Sequence, residues 1–381
     1  MSSNADVVVV GGGVIGCAIA YYLSREGARV AVLERGLIGG EASGAAAGML
    51  APLAEAHGPS PFLNLCLASH RLFPELTDTL YADTGVDVEY VPSGMLRVAF
   101  SEADEAELRS QINWQDRLGM GVRWIDGEGA RGLEPLLSAG VRGAIYSPLE
   151  HQVNPGKLVQ GLARAAEAQG TVIRQETPVL GLLRRGHRVT GVRLTPETLS
   201  ADSVVLAAGP WTERLAATLG VRVPVKPVRG QMLALGGGPP PVRHIIWGPK
   251  GYVVPKPNGF VFVGATVEEV GYRKSTTKRG LASLRRMANA LVPAFSYASD
   301  VDAWAALRPG SADNLPILGA VPGWQGLWVA SGHFRNGILL APITGQLMAR
   351  SLLEGKQAKA LSPFSPARFQ GAGLSTDTKT D

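Results

Sequence analysis

Ala5-Asp-Val-Val-Val-Val-Gly-Gly-Gly-Val-Ile-Gly16, followed after a helical segment by Arg29-Val-Ala-Val-Leu-Glu34, is the stretch that decides the fold. Residues 6–10 are an apolar β-branched run, which predicts a buried strand. The spacing then predicts a helix over 14–26 and a second strand over 29–34. Together these elements form a βαβ unit with the G-x-G-x-x-G fingerprint of dinucleotide-binding folds in its required place.

The glycines and the acid of this unit predict a dinucleotide site. Gly11 allows the tight turn, Gly13 lets the backbone approach a pyrophosphate, and Gly16 lets the helix pack close to the strand. The helix start offers unpaired N–H groups and a positive dipole end to the phosphates. Glu34 ends the second strand, where it is placed to accept hydrogen bonds from an adenosine ribose. These residues leave open which dinucleotide binds.

The composition indicates a folded globular protein with one large domain or two. The chain has 381 residues, of which 45% are hydrophobic and 18% charged. Its 48 glycines are nearly twice the usual share of about 7%, as close backbone approach to a large cofactor requires. The net charge of +5 comes without a long basic block, so we expect no nucleic-acid partner.

Neither a metal centre nor a membrane segment is predicted. The two cysteines, Cys17 and Cys66, fit buried positions better than ligand positions, and the six histidines form no metal-binding pattern. No apolar run approaches the length of a membrane span, and a strand starts where a signal peptide would lie. We therefore expect a soluble, cytoplasmic protein.

The rest of the chain predicts an α/β protein, α+β overall, in which a doubly wound Rossmann-like domain carries an inserted, mostly antiparallel sheet. Residues 35–49 form a loop of small residues suited to close contact with a flat ligand. Further predictions are two strands within 86–100, a buried strand over 201–208 that ends at Gly209, several strands between 228 and 266, and a final helix over 341–353. The cofactor domain would comprise 1–85, 141–222 and 305–361, and the substrate domain 86–140 and 223–304. Residues 362–381 would form a tail that is disordered from about Gly371.

With these segments placed, the chain resembles the D-amino-acid oxidase superfamily of flavoproteins, and most closely the glycine oxidases, over residues 5–361. The most specific matching motif is Gly332-His-Phe-Arg-Asn-Gly-Ile-Leu-Leu340. The others are the glycine turn at 11–16, Ser43-Gly-Ala-Ala-Ala-Gly-Met49, Val204-Val-Leu-Ala-Ala-Gly209 and Leu307-Arg-Pro-Gly310. The resemblance implies FAD as a cofactor, bound non-covalently because no cysteine follows Cys66.

The resemblance also implies roles for individual residues. Cofactor contacts would come from Gly11, Gly13, Val14, Ile15, Gly16, Glu34, Arg35, Ala42, Ser43, Ala47, Gly48, Met49, Val179, Gly209, His333, Phe334, Arg335, Asn336, Gly337, Ile338 and Leu339. Substrate contacts would come from Arg308, Tyr252, Trp247, Arg335 and Met49. Arg308 is the first choice to bind a substrate carboxylate, because a guanidinium matches a carboxylate in a bidentate way. Trp247 occupies the position at which glycine oxidases often carry tyrosine. The tryptophan ring would still form a wall of the pocket, but the hydroxyl of the tyrosine is missing.

The activity implied is oxidative deamination of glycine, sarcosine and small D-amino acids by hydride transfer to the flavin. The imino acid would hydrolyse to glyoxylate or a keto acid and ammonia, and oxygen would be reduced to hydrogen peroxide. No residue is expected to act as an obligatory acid or base. The family further implies a role in thiamine thiazole synthesis and a homotetramer.

Three alternatives stay open at this stage. The first is a flavin dehydrogenase for D-amino acids, proline or N-methyl amino acids that passes electrons to an acceptor other than oxygen. The second, from a different class, is a non-catalytic flavin subunit that relays electrons. The third is an NAD-dependent dehydrogenase, which would be colourless when purified.

Overall fold

The structure, a computed structural model, describes residues 5–56, 58–237 and 242–369. The disorder predicted from about Gly371 lies outside these residues. The strands are β1 (Ala5–Val10), β2 (Val30–Leu33), β3 (Met49–Leu50), β4 (Met95–Ala99), β5 (Arg123–Asp126), β6 (Gly143–Ser147), β7 (His151–Gln152), β8 (Val172–Arg174), β9 (Gly181–Arg185), β10 (Arg188–Arg193), β11 (Thr198–Leu206), β12 (Val225–Gly236), β13 (Ile245–Gly248), β14 (Gly251–Pro255), β15 (Val261–Gly264), β16 (Ser299–Ser311), β17 (Ile317–Ala320) and β18 (Leu327–Ser331). The helices are α1 (Val14–Arg25), α2 (Pro61–Thr84), α3 (Glu102–Asp116), α4 (Gly127–Leu133), α5 (Pro155–Ala168), α6 (Thr212–Ala216), α7 (Lys278–Leu291) and α8 (Gly337–Glu354).

The first sheet is built on the predicted βαβ unit. Its strand order is β17-β18-β11-β1-β2-β8, and β1 pairs in parallel with both β2 and β11. Val7 and Val9 of β1 pack into the core shared with α1, α5 and α8, whereas Val8 and Val10 pack on the opposite face with the β9–β10 hairpin. Burial on both faces explains the uninterrupted valine run, which is typical of a central parallel strand. The predicted fold class is confirmed.

The second sheet is mostly antiparallel, in the order β16-β12-β15-β14-β13-β4-β6-β5. Only its β13–β4 contact is parallel, which joins the two chain segments that form the sheet. Helix α7 covers one face through a core that includes Leu284, Ala288 and Leu291. A separate pair, β3 and β7, ties the small-residue loop to the segment before α5.

Two predicted elements differ from the structure. Only Met95–Ala99 forms a strand within 86–100, because residues 86–90 have no ladder partner and Val91 forms a single bridge to Gln152. The final helix begins at Gly337, four residues before the predicted 341. Residues 299–311, for which no strand was predicted, form a long strand paired with β12 along its length.

The strand pairing bears on the predicted domain boundaries. The boundaries at 141 and 305 assign β6 and more than half of β16 to the cofactor domain, yet both belong to the second sheet. Local sequence could not reveal this, because sheet membership depends on partners far away in the chain. Residues 143–147 and 305–311 are therefore part of the antiparallel sheet, and the division into two domains otherwise stays a prediction.

None of the helices in the described ranges is both long enough and apolar enough to cross a membrane.

Candidate active site

One cavity of about 350 Å³ lies between the two sheets, within the usual range for a small-molecule site. It receives residues from the glycine turn, from the small-residue loop, from β12, β14 and β16, and from the start of α8. All the predicted cofactor and substrate residues line it except two, Gly16 and Leu339. Gly16 is a packing residue, since a Cβ there would stand 1.9 Å from the Gly11 carbonyl oxygen, and Leu339 is a core residue that is 2% exposed.

The glycine turn is held by side chains from elsewhere in the chain. Gly11 has φ +115°, and a Cβ there would stand 2.4 Å from the Ala207 carbonyl oxygen. Glu34 accepts hydrogen bonds from the Gly12 N–H at 2.8 Å and the Gly36 N–H at 2.9 Å. Its carboxylate therefore organises the turn as well as lining the cavity, a role that the sequence did not indicate.

The small-residue loop, residues 35–49, also stabilises the start of α1. Ser43 Oγ accepts a hydrogen bond from the Val14 N–H at 3.0 Å, so this predicted cofactor residue also caps α1. Gly48 has φ +84°, and a Cβ there would stand 2.0 Å from the Val153 carbonyl oxygen. The small residues are thus required by backbone packing as well as by a ligand.

The start of α8 forms the opposite side of the cavity. Asn336 is its N-cap residue but its side chain makes no capping bond, and Gly337 and Ile338 line the cavity. A helix start of this kind presents N–H groups and a positive dipole end. His333 is 3% exposed, with Nε2 3.2 Å from Thr344 Oγ1. Burial lowers the pKa of His333 to about 3, so its imidazole is neutral at physiological pH.

Arg308 reaches the cavity from β16. Its Nη1 donates to the Thr266 carbonyl oxygen at 3.0 Å, and its guanidinium lies over Gly230 of the neighbouring strand. A Cβ on Gly230 would stand 2.3 Å from both terminal nitrogens of the guanidinium, Nη1 and Nη2. Burial lowers the pKa of Arg308, but a guanidinium remains charged at neutral pH. Gly230 was missed, although a glycine inside a strand signals close approach of another group.

The turn before α8 is attached to this part of β16. The Phe334 N–H donates to the Pro309 carbonyl oxygen at 2.9 Å, and Phe334 has φ +48°. A positive φ at a bulky residue is strained and is most often found at functional sites. The bond holds the Arg308 strand beside the predicted flavin-binding turn.

Aromatic and sulfur-containing side chains enclose the same end of the cavity. The Tyr252 ring lies 5.2 Å from the Trp247 ring, and the Tyr252 hydroxyl donates to Met232 Sδ at 3.7 Å. Gly264 makes room for this tyrosine, because a Cβ there would stand 2.7 Å from its ring. Burial raises the pKa of Tyr252, so the hydroxyl stays protonated and can donate. Met232 and Gly264 were not predicted.

A carboxylate also faces the cavity. Glu55 Oε2 lies 2.9 Å from Arg335 Nη2, and the Glu55 side chain is 13% exposed. Its negative charge acts on the pKa of both Arg308 and Tyr252. The sequence assigned Arg335 a substrate contact without revealing this ion pair, because the two residues are distant in the chain.

Residues 266–277, called the strap below, cross from the second sheet to the first. The strap is anchored to β12 by Glu268, which pairs with Arg229 Nε at 2.8 Å. At its middle, the Tyr272 hydroxyl donates to the Pro210 carbonyl oxygen at 2.9 Å, and the Arg214 guanidinium lies 3.7 Å from the Tyr272 ring centre. Arg214 and Pro210 line the cavity, so the strap packs against two of the residues that form its wall. Sequence patterns gave no sign of these contacts.

The residues around the cavity are suited to binding FAD rather than to binding a metal ion or to catalysis by a nucleophilic cysteine. The βαβ turn and the α8 start both line this cavity and offer N–H groups to phosphates and to a flat ring. Within 5–56, 58–237 and 242–369, no group of three metal-ligating side chains occurs. Both cysteines are buried, and burial raises the pKa of Cys17 to about 12, which keeps that thiol unreactive.

Comparison with known proteins agrees with this geometry. Residues 6–351 match the protein family described as FAD dependent oxidoreductase. The glycine oxidase of Geobacillus kaustophilus is 36% identical over 97% of this chain and 99% of that protein. A crystal structure of glycine oxidase from Geobacillus kaustophilus superposes with a TM-score of 0.92, covering 97% of this chain and 100% of the other. The bifunctional protein ThiO/ThiG of Synechocystis is 39% identical over 97% of this chain, which spans 55% of that protein.

The family match extends over nearly the whole chain and the cavity fits the cofactor that the family uses. The resemblance to the glycine oxidases is thereby confirmed, and FAD rather than NAD is the dinucleotide. The chain belongs to the FAD-dependent oxidoreductases of the D-amino-acid oxidase superfamily.

Proposed function

We propose that this chain oxidises glycine and other small amines, including sarcosine and small D-amino acids, in an FAD-dependent oxidative deamination. The observation that carries the proposal is the buried Arg308 guanidinium, which lies over Gly230 in the same cavity as the glycine turn and the α8 start. A desolvated guanidinium in a small enclosed site suits a substrate carboxylate. The similarity to glycine oxidases supports the choice of substrate class.

The cavity walls support a small substrate. Arg308 would bind the carboxylate in a bidentate way, and the protonated Tyr252 hydroxyl would exchange its Met232 contact for a bond to the same group. Trp247, Met49 and Met232 line this end, and three such bulky side chains would favour a small substrate side chain. Glycine, sarcosine and D-alanine therefore fit better than aromatic or long amino acids.

Bound FAD supplies a two-electron acceptor for the hydrogen on the substrate's Cα. The protein's part is to hold the substrate with the correct face exposed and to keep water away from it. Tyr252 stays protonated, the lowered pKa of His333 makes its imidazole a weak base, and the Glu55 carboxylate is paired with Arg335. The substrate amine would need only to be unprotonated when it reacts, which explains why no acid or base residue is required. The released imino acid would hydrolyse to glyoxylate or a keto acid and ammonia.

Several finer points belong to the same proposal. Oxygen would be the electron acceptor, giving hydrogen peroxide, and the similarity to ThiO/ThiG supports a role in making the thiazole of thiamine. The homotetramer and the cytoplasmic location stay predictions.

Anaerobic mixing of the purified yellow protein with a panel of small amino acids tests the proposal. We expect glycine, sarcosine and D-alanine to bleach the flavin absorbance, with L-phenylalanine as a negative control. A flavin that no amine bleaches would instead support an electron-relay subunit. Bleaching without peroxide formation in air would support a dehydrogenase that uses another acceptor.

The strap leads to a separate prediction about cofactor retention. In Tyr272→Ala the bond to Pro210 and the contact with Arg214 are both lost, so these two cavity-lining residues are held less firmly. Two such contacts contribute on the order of 1–2 kcal/mol, and we expect FAD to dissociate roughly tenfold faster. The release of flavin fluorescence on dilution measures this rate, and kcat at saturating FAD should be unchanged.

Tyr297→Ala is the matched control, because Tyr297 is 84% exposed and lies outside the strap. Equal FAD dissociation rates in the two variants and the unchanged protein would show that the strap does not retain the cofactor.

A further inference from the structure

Lys256, directly after β14, is a buried cation that the proposed reaction does not use. It is 8% exposed and is absent from the cavity lining. Its Nζ donates to the Ala47 carbonyl oxygen at 2.5 Å, to Gln152 Oε1 at 2.9 Å and to the Val153 carbonyl oxygen at 3.4 Å. The Lys256 ammonium therefore links the end of β14 in the second sheet to the small-residue loop.

The surroundings of Lys256 satisfy its hydrogen bonds, and the negative charge that acts on its pKa, that of Glu89, belongs to a carboxylate already paired with Lys157. All three acceptors are neutral, and Nζ also lies 5.2 Å from the centre of the Phe262 ring. Lys256 forms no salt bridge with any residue that the structure describes. Burial lowers the pKa of Lys256 to about 8, so the side chain remains mostly protonated at pH 7. A net positive charge is thus kept inside the protein, where its field is weakly screened.

The Ala47–Gly48 peptide connects this charge to the cavity. Ala47 and Gly48 both line the cavity, whereas Lys256 approaches the Ala47 carbonyl from outside it. In a trans peptide the N–H points away from the C=O, so the Gly48 N–H is directed to the cavity side. That N–H has no acceptor among the described residues. An ammonium on the carbonyl polarises the peptide and makes the N–H at its other end a stronger donor.

We propose that Lys256 is a positioning residue that raises the electron affinity of the bound flavin, by its buried charge and through the polarised Gly48 N–H. The small-residue loop would then contribute to the electrostatic potential at the flavin as well as to backbone packing. The inference rests on the FAD dependence of the family and goes beyond the proposed function, because it makes no use of the amine substrate.

The test compares holoenzymes in the absence of any amine. Lys256→Met removes the charge, Lys256→Arg keeps it, and Lys256→Gln keeps only a neutral donor. Lys250→Met is the matched control, since Lys250 is an exposed lysine in the turn between β13 and β14, just before Lys256 in the chain. The flavin midpoint potential is measured by equilibration with a redox dye, and the affinity for sulfite, which adds to electron-poor flavins, is measured by absorbance titration.

We expect the Met and Gln variants to have a lower midpoint potential and a sulfite affinity weaker by roughly tenfold or more, as removal of one poorly screened charge predicts. The Arg variant and Lys250→Met should stay close to the unchanged protein. Equal potentials in Lys256→Met and Lys250→Met would overturn the proposal. Loss of FAD from both neutral variants would also overturn it, because Lys256 would then serve to hold the loop.

These readouts are independent of the substrate assignment. A failure of glycine to bleach the flavin would leave the potentials of the variants unaffected, so the two proposals can fail separately.

Discussion

Arg308→Met is expected to lower kcat/KM for glycine by about 10²- to 10³-fold while FAD stays bound. Removing one partner of a buried charge pair costs about 3–5 kcal/mol, and the substrate carboxylate would lose its partner inside a desolvated cavity. The loss should appear mainly as a higher Michaelis constant, because the guanidinium would bind the proposed substrate's carboxylate in the ground state as well as in the transition state. Steady-state oxygen uptake over a range of glycine concentrations measures it.

Arg308→Lys sharpens this test. Lysine keeps the charge but cannot make two parallel hydrogen bonds to one carboxylate, so we expect it to recover only part of the loss. The flavin spectrum and the thermal unfolding temperature of both variants serve as controls for folding. Unchanged kinetics in Arg308→Met would remove Arg308 from the substrate site.

Gly230→Ala is expected to reproduce much of the Arg308 defect without removing any charge. The new methyl group would stand 2.3–2.4 Å from three atoms of the Arg308 guanidinium, so the guanidinium must move. Gly230 pairs with Ala306 across β12 and β16, which places the methyl diagonally beside Arg308 on the same face of the sheet. Displacement by about 1 Å at a reacting site can cost about 100-fold, and we expect a loss of kcat/KM of that order.

The free energy of unfolding should change far less, because the atoms that must move are at the end of a flexible side chain. Gly132→Ala in α4 is the matched control, since a Cβ there meets nothing within 4 Å. Thermal unfolding and glycine kinetics on both variants separate the two effects. A Gly230→Ala protein with normal kinetics would contradict the arrangement of Arg308 over Gly230. One that has lost both activity and folding would show that the strand, rather than the site, was damaged.

Local sequence patterns predicted the parts of the fold that depend on neighbours in the chain. The valine run, the glycine turn and Glu34 lie within one βαβ unit, so their spacing alone predicts a strand, a turn and a helix with a dinucleotide site. The role of the closing His333-to-Gly337 turn was instead predicted from the resemblance of its motif to that of a known family. The helix that follows was placed four residues late, because the first turn of a helix has little periodicity to reveal it.

The parts of the fold that depend on strand pairing were harder to predict from the sequence. The segment that carries Arg308 has no alternating pattern, and its place in the second sheet is fixed by β12, far away in the chain. The Glu55–Arg335 pair, the contacts of the strap and the three acceptors of Lys256 likewise join residues that no spacing rule connects.

The sequence by itself determined the cofactor-binding unit, the fold class and the family, because each is encoded in short runs whose backbone requirements are local. Only the tertiary structure decided how the substrate end is assembled. There the register between β12 and β16 brings Gly230 under Arg308, and burial then sets which groups are charged. Register and burial are properties of the packed chain, since they arise when distant segments exclude water from one another.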